Sequence, residues 1–279
     1  MQCEGRDTVQ QGLLTADAKL LLSNDIRAGT SKIYSSRFRK FADYCSKLGY
    51  DPTCCPPEIV VNFLASLKGS GLKFSTINGY KAAIARQHRG GISSDTMVKR
   101  VTKSCFNANP PIPKYADIWD ADILLSHISS LPADSELSTM DLSIKLCSLI
   151  AVLSLCRQSS LAAIGPGFQL VDDNVHLPIN KLEKTSNCSN IRNELILPRG
   201  SDRLDLYSCI STYLERTKKS RDYYAAAEGQ PPSSLFISTT KPYQPVNPST
   251  LAKWLLRGME AAGVDTTSYK AHSVRWALG

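Results

Sequence analysis

Apolar residues recur every three to four positions along most of this 279-residue chain, the spacing that lines one face of a helix. Leu13, Leu14, Ala18, Leu21 and Leu22 predict a short helix or tail within residues 1–27. From Thr30 the residues Ile33, Phe38, Phe41, Ala42 and Tyr44 keep the helical period until Gly49. Pro56-Pro57-Glu58 opens a second helix, with Ile59, Val60, Phe63, Leu64 and Leu67 on its apolar face and Gly69-Ser70-Gly71 at its end. A third helix from Ser75 carries Ile77, Tyr80, Ala83 and Ile84 as far as Gly90-Gly91, and a fourth runs from Asp95 to Phe106. Together these predict a small all-α module over residues 28–107. The prolines of Asn107-Ala108-Asn109-Pro110-Pro111-Ile112-Pro113 exclude helix and predict an extended linker, 108–115, before a second module, 116–279.

In the second module the pattern predicts helices over Ala121–Ser129 and Ser138–Leu155, the latter apolar enough for a core. Phe168-Gln169-Leu170-Val171, Val175–Ile179 and Asn193–Leu197 are short, β-prone runs separated by turn residues, which predicts a three-stranded antiparallel sheet. An amphipathic helix over Arg203–Arg216 precedes a polar connection, Lys218–Pro232. After Leu235-Phe236-Ile237, a helix over Pro248–Ala262 is capped by Asn247 and ended by Gly263. A last helix holds Tyr269-Lys270-Ala271-His272-Ser273-Val274-Arg275. The expected fold is mainly α with a small antiparallel β-sheet.

No run of about 18 apolar residues occurs, and Glu4, Arg6 and Asp7 precede any apolar stretch, so neither a membrane span nor a secretory leader is expected. The nine cysteines are scattered among helical patterns, as Cys45, Cys147 and Cys156 are, and read as reduced, buried thiols of an intracellular protein. Cys54-Cys55 have no partners at zinc spacing, so no metal is expected. The net charge of +8 is uneven: 17 Lys and Arg face 8 Asp and Glu up to Tyr115, a balance of +9, and 16 face 17 beyond it. A basic module joined to a nearly neutral one suits polyanion capture by the first and chemistry by the second. Arg37, Lys40 and Lys47 on one predicted helix, and Lys73, Lys81, Arg86 and Arg89 on or beside another, form the candidate faces for a polyanion such as a nucleic acid. Tyr80 and Gln87 are candidates for base contact.

The chemistry-bearing residues are Arg157, at the end of the apolar helix in Leu153-Ser154-Leu155-Cys156-Arg157-Gln158-Ser159-Ser160-Leu161, and the His272-Ser273-Val274-Arg275 box. His and Arg three apart share a helix face, and a second guanidinium converging on them would make a cationic fork for a phosphate.

These two boxes, in this order and flanking a small sheet, resemble the tyrosine recombinases, or lambda integrase family, and within it the DIRS-like and Crypton-like branch of eukaryotic mobile elements. The resemblance covers the chain from about Thr30 onward. It implies an N-terminal SAM-like core-binding module, a C-terminal mixed α/β catalytic domain, double-stranded DNA as partner, a possible homo-oligomer on DNA, a nuclear location and no cofactor. It also implies roles: Arg157 and Arg275 neutralise charge on the non-bridging oxygens, His272 assists proton transfer, and a hairpin lysine protonates the leaving 5′-oxygen. That lysine would be Lys184, with Lys181 as second choice. The family's acidic residue three positions after the first arginine is Ser160 here. Its nucleophilic tyrosine lies some tens of residues beyond the second box, whereas this sequence stops at Gly279; Tyr223, Tyr224 and Tyr269 stand at other places. The expectation is a DNA strand-cleaving and rejoining domain that ends before its nucleophile and is inactive as this chain. The alternative is a non-catalytic DNA-binding protein derived from a recombinase.

Overall fold

The computed structural model describes residues 15–23, 25–112, 117–181 and 193–277. The chain divides into two compact units, 1–114 and 115–279.

The first unit is helical: α1 (Ala16–Ser23), α2 (Ala28–Lys47), α3 (Pro57–Gly69), α4 (Phe74–Gln87) and α5 (Thr96–Ala108). Pro57 suits the first turn of α3 because its missing N–H would have no intrahelical partner there, and Asp95 caps α5 by accepting Val98 N–H at 2.9 Å. Phe41, Val60, Phe63, Leu64, Ile77, Tyr80 and Ile84 close the core, with Phe63 at 5.1 Å from Phe41 and 5.8 Å from Tyr80 between ring centroids. Two expectations are corrected. Tyr80 is buried among these rings, so it presents no face to a base. Ile33 is 51% exposed, because the buried residues of α2, Phe41 and Cys45, fall in its second half.

The second unit is built round α7 (Thr139–Ser154), which follows α6 (Ala121–Ser130) and buries ten of its residues, from Leu142 to Val152. A helix hydrophobic all round belongs at a centre, and α9 (Leu206–Glu228) and α10 (Pro248–Ala261) both pack along it. Ser138 caps α7, accepting Asp141 N–H at 3.1 Å and donating to Asp141 Oδ2 at 2.6 Å. The one charged residue on the buried stretch, Lys145, is paired with Asp134 at 2.7 Å, which offsets the cost of taking an ammonium out of water. After the short α8 (Gln158–Leu161) come β1 (Gln169–Val171), β2 (Asn174–Pro178) and β3 (Glu194–Pro198), antiparallel in the order β1-β2-β3. Val175 pairs with Leu197 and Leu177 with Leu195, four side chains that alternation sends inward.

The polar connection expected from Lys218 is instead the continuation of α9 to Glu228, ended by Gly229 in the left-handed conformation (φ 74°). Lysines and alanines sustain a helix without any apolar face to announce it. Arg221 ties the extension down by donating to Ser234 O and Leu235 O.

Where α7 and α10 cross, a Cβ on Gly258 would stand 2.6 Å from Ser148 Oγ and 3.3 Å from Ile144 Cγ2. Ser148 Oγ is itself buried without a hydrogen-bond partner. Gly258→Ala is therefore expected to destabilise by about 1–3 kcal/mol, overpacking outweighing the gain in helix propensity. Ser148→Ala is expected to stabilise by about 1 kcal/mol, and in that background Gly258→Ala should become nearly neutral. Thermal unfolding of the four proteins checks both signs.

Candidate functional site

The end of α7 turns sharply into α8. Leu155 caps α7 with a left-handed backbone (φ 49°), and Arg157, extended at φ −78° and ψ 155°, starts α8 as its carbonyl accepts Ser160 N and Leu161 N at 2.8 and 3.0 Å. More than a hundred residues later, a 3₁₀ helix over Ala271–Trp276 carries the second box. With three residues per turn, positions i and i+3 eclipse. Ala271 and Val274 fall on the core side, and His272 and Arg275 share another face. The expected helix is thus tighter than an α-helix. Ser273 Oγ accepts Trp119 Nε1–H at 2.9 Å in the interior, which fixes its rotation.

Arg157, His272 and Arg275 line one hollow of about 510 Å³, together with Gln158, Ser159, Pro248, Ser249 and Ala252. Arg275 Nε donates to Leu155 O at 2.9 Å. Among the described residues neither arginine is paired with a carboxylate. Two half-buried guanidiniums with no carboxylate partner among the described residues can take an anion, and their fork geometry matches phosphate oxygens. Ser160 is buried. Lys184 lies outside the described residues; Lys181 is exposed just after β2. Neither Tyr223, Tyr224 nor Tyr269 lines the hollow. The start of α10 is marked in the sequence by Asn247-Pro248, and the cap accepts Thr250 N–H at 2.9 Å, but nothing local announces that Pro248 and Ser249 border the arginines.

The turn that leads into the second box is held by Asp265. The Ser268 hydroxyl and then the Thr267 hydroxyl and N–H, the latter two at 2.5 and 2.9 Å, bind its carboxylate and hold its pKa down to about 2.

In the first unit, Lys40, Lys47, Lys73 and Arg89 are exposed and Lys81 is half-buried. Arg86 is paired with Asp25. Arg37 is packed 5.6 Å from the centre of the Tyr80 ring, in the space that Gly79 leaves by lacking a Cβ. A separate cavity of about 510 Å³ there is lined by Asp51, Cys54, Cys55 and His88. His88 Nε2 meets Cys55 O at 2.9 Å and its Nδ1 accepts Gly90 N–H at 3.0 Å, so the backbone takes both nitrogens. Burial pushes the Cys55 thiol up to about 12, a protonated and inert state. Among the described residues no cluster of His, Cys, Asp or Glu suits a metal, and no helix is long and apolar enough to cross a membrane.

No family model and no curated protein matches this chain. Solved structures do. Residues 75–356 of lambda integrase, solved as a dimer bound to a COC′ core site, align with 93% of this chain and 81% of that one, at a TM-score of 0.51 and 16% identity. The fold is that of lambda integrase. A second lambda integrase dimer on a COC′ core site aligns with 99% of this chain and 73% of that one, at 0.49 and 14%. XerA recombinase aligns with 92% and 78%, at 0.33 and 12%. At these identities the likeness to lambda integrase is one of fold.

Two outcomes are expected. Trp119→Phe, which strands the Ser273 hydroxyl in the interior, should cost about 1–3 kcal/mol in chemical denaturation. Because the Asp265 carboxyl is held below its ordinary value, its contribution is complete above about pH 4 and drains away as pH falls toward about 2. The Tyr269 amide, which donates to Asp265 O at 2.9 Å, should lose exchange protection over that acid range, and Asp265→Ala should abolish the pH dependence.

Proposed function

We propose that this chain is a DNA-binding protein of the tyrosine-recombinase type whose second unit grips one backbone phosphate of duplex DNA. The observation that carries the reading is the hollow in which Arg157, His272 and Arg275 meet. The lambda integrase fold and the basic balance of the first unit support it. In strand exchange of this type a tyrosine oxygen attacks the phosphorus, a 3′-phosphotyrosyl bond forms, and the departing 5′-oxygen takes a proton. Wherever a tyrosine is supplied, Arg157 and Arg275 would hold the non-bridging oxygens as charge builds on them, His272 would assist proton transfer, and Lys184, or Lys181, would protonate the leaving oxygen. Among the described residues no tyrosine lines the hollow, and on this reading the polypeptide of residues 1–279 grips DNA without cutting it. Lys40, Lys47, Lys73, Lys81 and Arg89 lie along phosphates on the approach, and copies assemble on DNA. An origin in DIRS-like or Crypton-like elements and a nuclear location rest on the resemblance of the two boxes.

Fluorescence anisotropy with a labelled duplex tests this. Arg157→Ala and Arg275→Ala should each weaken binding about tenfold, the loss of one charge-assisted contact. Lys40→Ala or Lys47→Ala should lower the slope of log affinity on log salt by about 1. Arg37→Ala should lower the unfolding temperature instead. With nicked suicide duplexes the 279-residue chain should form no covalent adduct. Affinity that ignores both arginine substitutions would falsify the phosphate grip, and an adduct would refute the missing attacking group.

A further inference from the structure

Three residues carry the chain from α7 into α8, and they decide where both arginines stand. Leu155 is left-handed (φ 49°, ψ 23°) while its N–H still closes on Ala151 O at 3.0 Å. A leucine is strained there because its Cβ crowds the carbonyl oxygen, which is why glycine or asparagine usually fills such places. Ser154 holds the turn: its hydroxyl donates to Ile150 O at 2.6 Å and accepts Cys156 N–H at 3.2 Å. Had Leu155 continued the helix, its carbonyl would point along the α7 axis. The reversal redirects it, and it receives Arg275 Nε at 2.9 Å.

We propose that Leu155 is the positioning residue for both arginines: its left-handed backbone offers one carbonyl to Arg275 Nε and delivers Arg157 into the same hollow two residues later. A bond at Nε fixes the plane of the Arg275 guanidinium and leaves both terminal nitrogens to the hollow, as a fork for two oxygens of one phosphate. The strain is local and is sustained by the surrounding turn, as strained residues beside binding sites commonly are. The value of this to DNA binding rests on the phosphate reading above; the positioning itself does not.

Leu155→Gly keeps the carbonyl and relaxes the backbone, whereas Leu155→Val puts a β-branched residue where a left-handed backbone is least tolerated. Two readouts separate the claims: solvent exchange of the Arg275 Nε–H by ¹⁵N NMR, assigned by its disappearance in Arg275→Ala, and duplex affinity. Exchange should be slow in the wild type and in Leu155→Gly, and about tenfold faster in Leu155→Val. Affinity should fall about tenfold in Leu155→Val, and adding Arg275→Ala there should cost less than about twofold more, because the bond is already gone. Ser154→Ala loosens the turn without altering position 155 and should raise the exchange rate as well, which keeps the test in force should Leu155→Val not fold. Unchanged exchange in both Leu155→Val and Ser154→Ala overturns the proposal. Exchange that follows Leu155 while affinity ignores Arg157→Ala and Arg275→Ala upholds the positioning and sinks the phosphate reading instead.

Discussion

One hydrogen bond, from Arg275 Nε to Leu155 O, joins positions 120 residues apart, and the candidate site exists because the second unit brings them together. Like-charged side chains do not gather without a reason in the packing. Here the reason is α7, whose all-round apolar surface draws α9, α10 and the 3₁₀ helix onto it. Ala271 and Val274 are buried in that core, so burial of apolar surface holds the second box against the end of α7. Hydrophobic burial thus supplies the work of holding two cations near one another, and an anion seated between them would return part of it.

Much of this architecture was legible in the sequence, because it rests on signals that act locally. Asp95 and Ser138 open expected helices and Asn247 is an expected cap, and all three accept backbone N–H groups in the structure. Val175, Leu177, Leu195 and Leu197 alternate as a half-buried sheet requires. What escaped was decided by neighbours far along the chain or by conformations that residue type argues against. Leucine is a poor choice for a left-handed cap, so nothing at position 155 foretold the turn. The extension of α9 past Lys218 depends on helix propensity and on Arg221 gripping two carbonyls, neither of which leaves an apolar rhythm. Tyr80, polar enough to suggest a surface role, is enclosed by Phe63 and Arg37.

The same lesson applies to charge. Counting cations gave the first unit a balance of +9, but a count does not say which of them face solvent. Arg86 is answered by Asp25, and Arg37 is a packing residue whose stem and guanidinium fill the space beside Gly79 and the Tyr80 ring. Lysines do most of the remaining work of presenting charge, and as strongly hydrated point charges they suit general attraction to a polyanion better than the bidentate recognition that arginine offers.

The span of the Leu155–Arg275 bond also dictates an order of events as the polypeptide is made. The helices of the first unit are built from neighbouring segments and close early, since local contacts cost little loop entropy. The arginine hollow has to wait until residue 275 has been added and the core of the second unit has shut on Ala271 and Val274. A nascent chain therefore acquires its basic helical half well before the hollow that Arg157, His272 and Arg275 line.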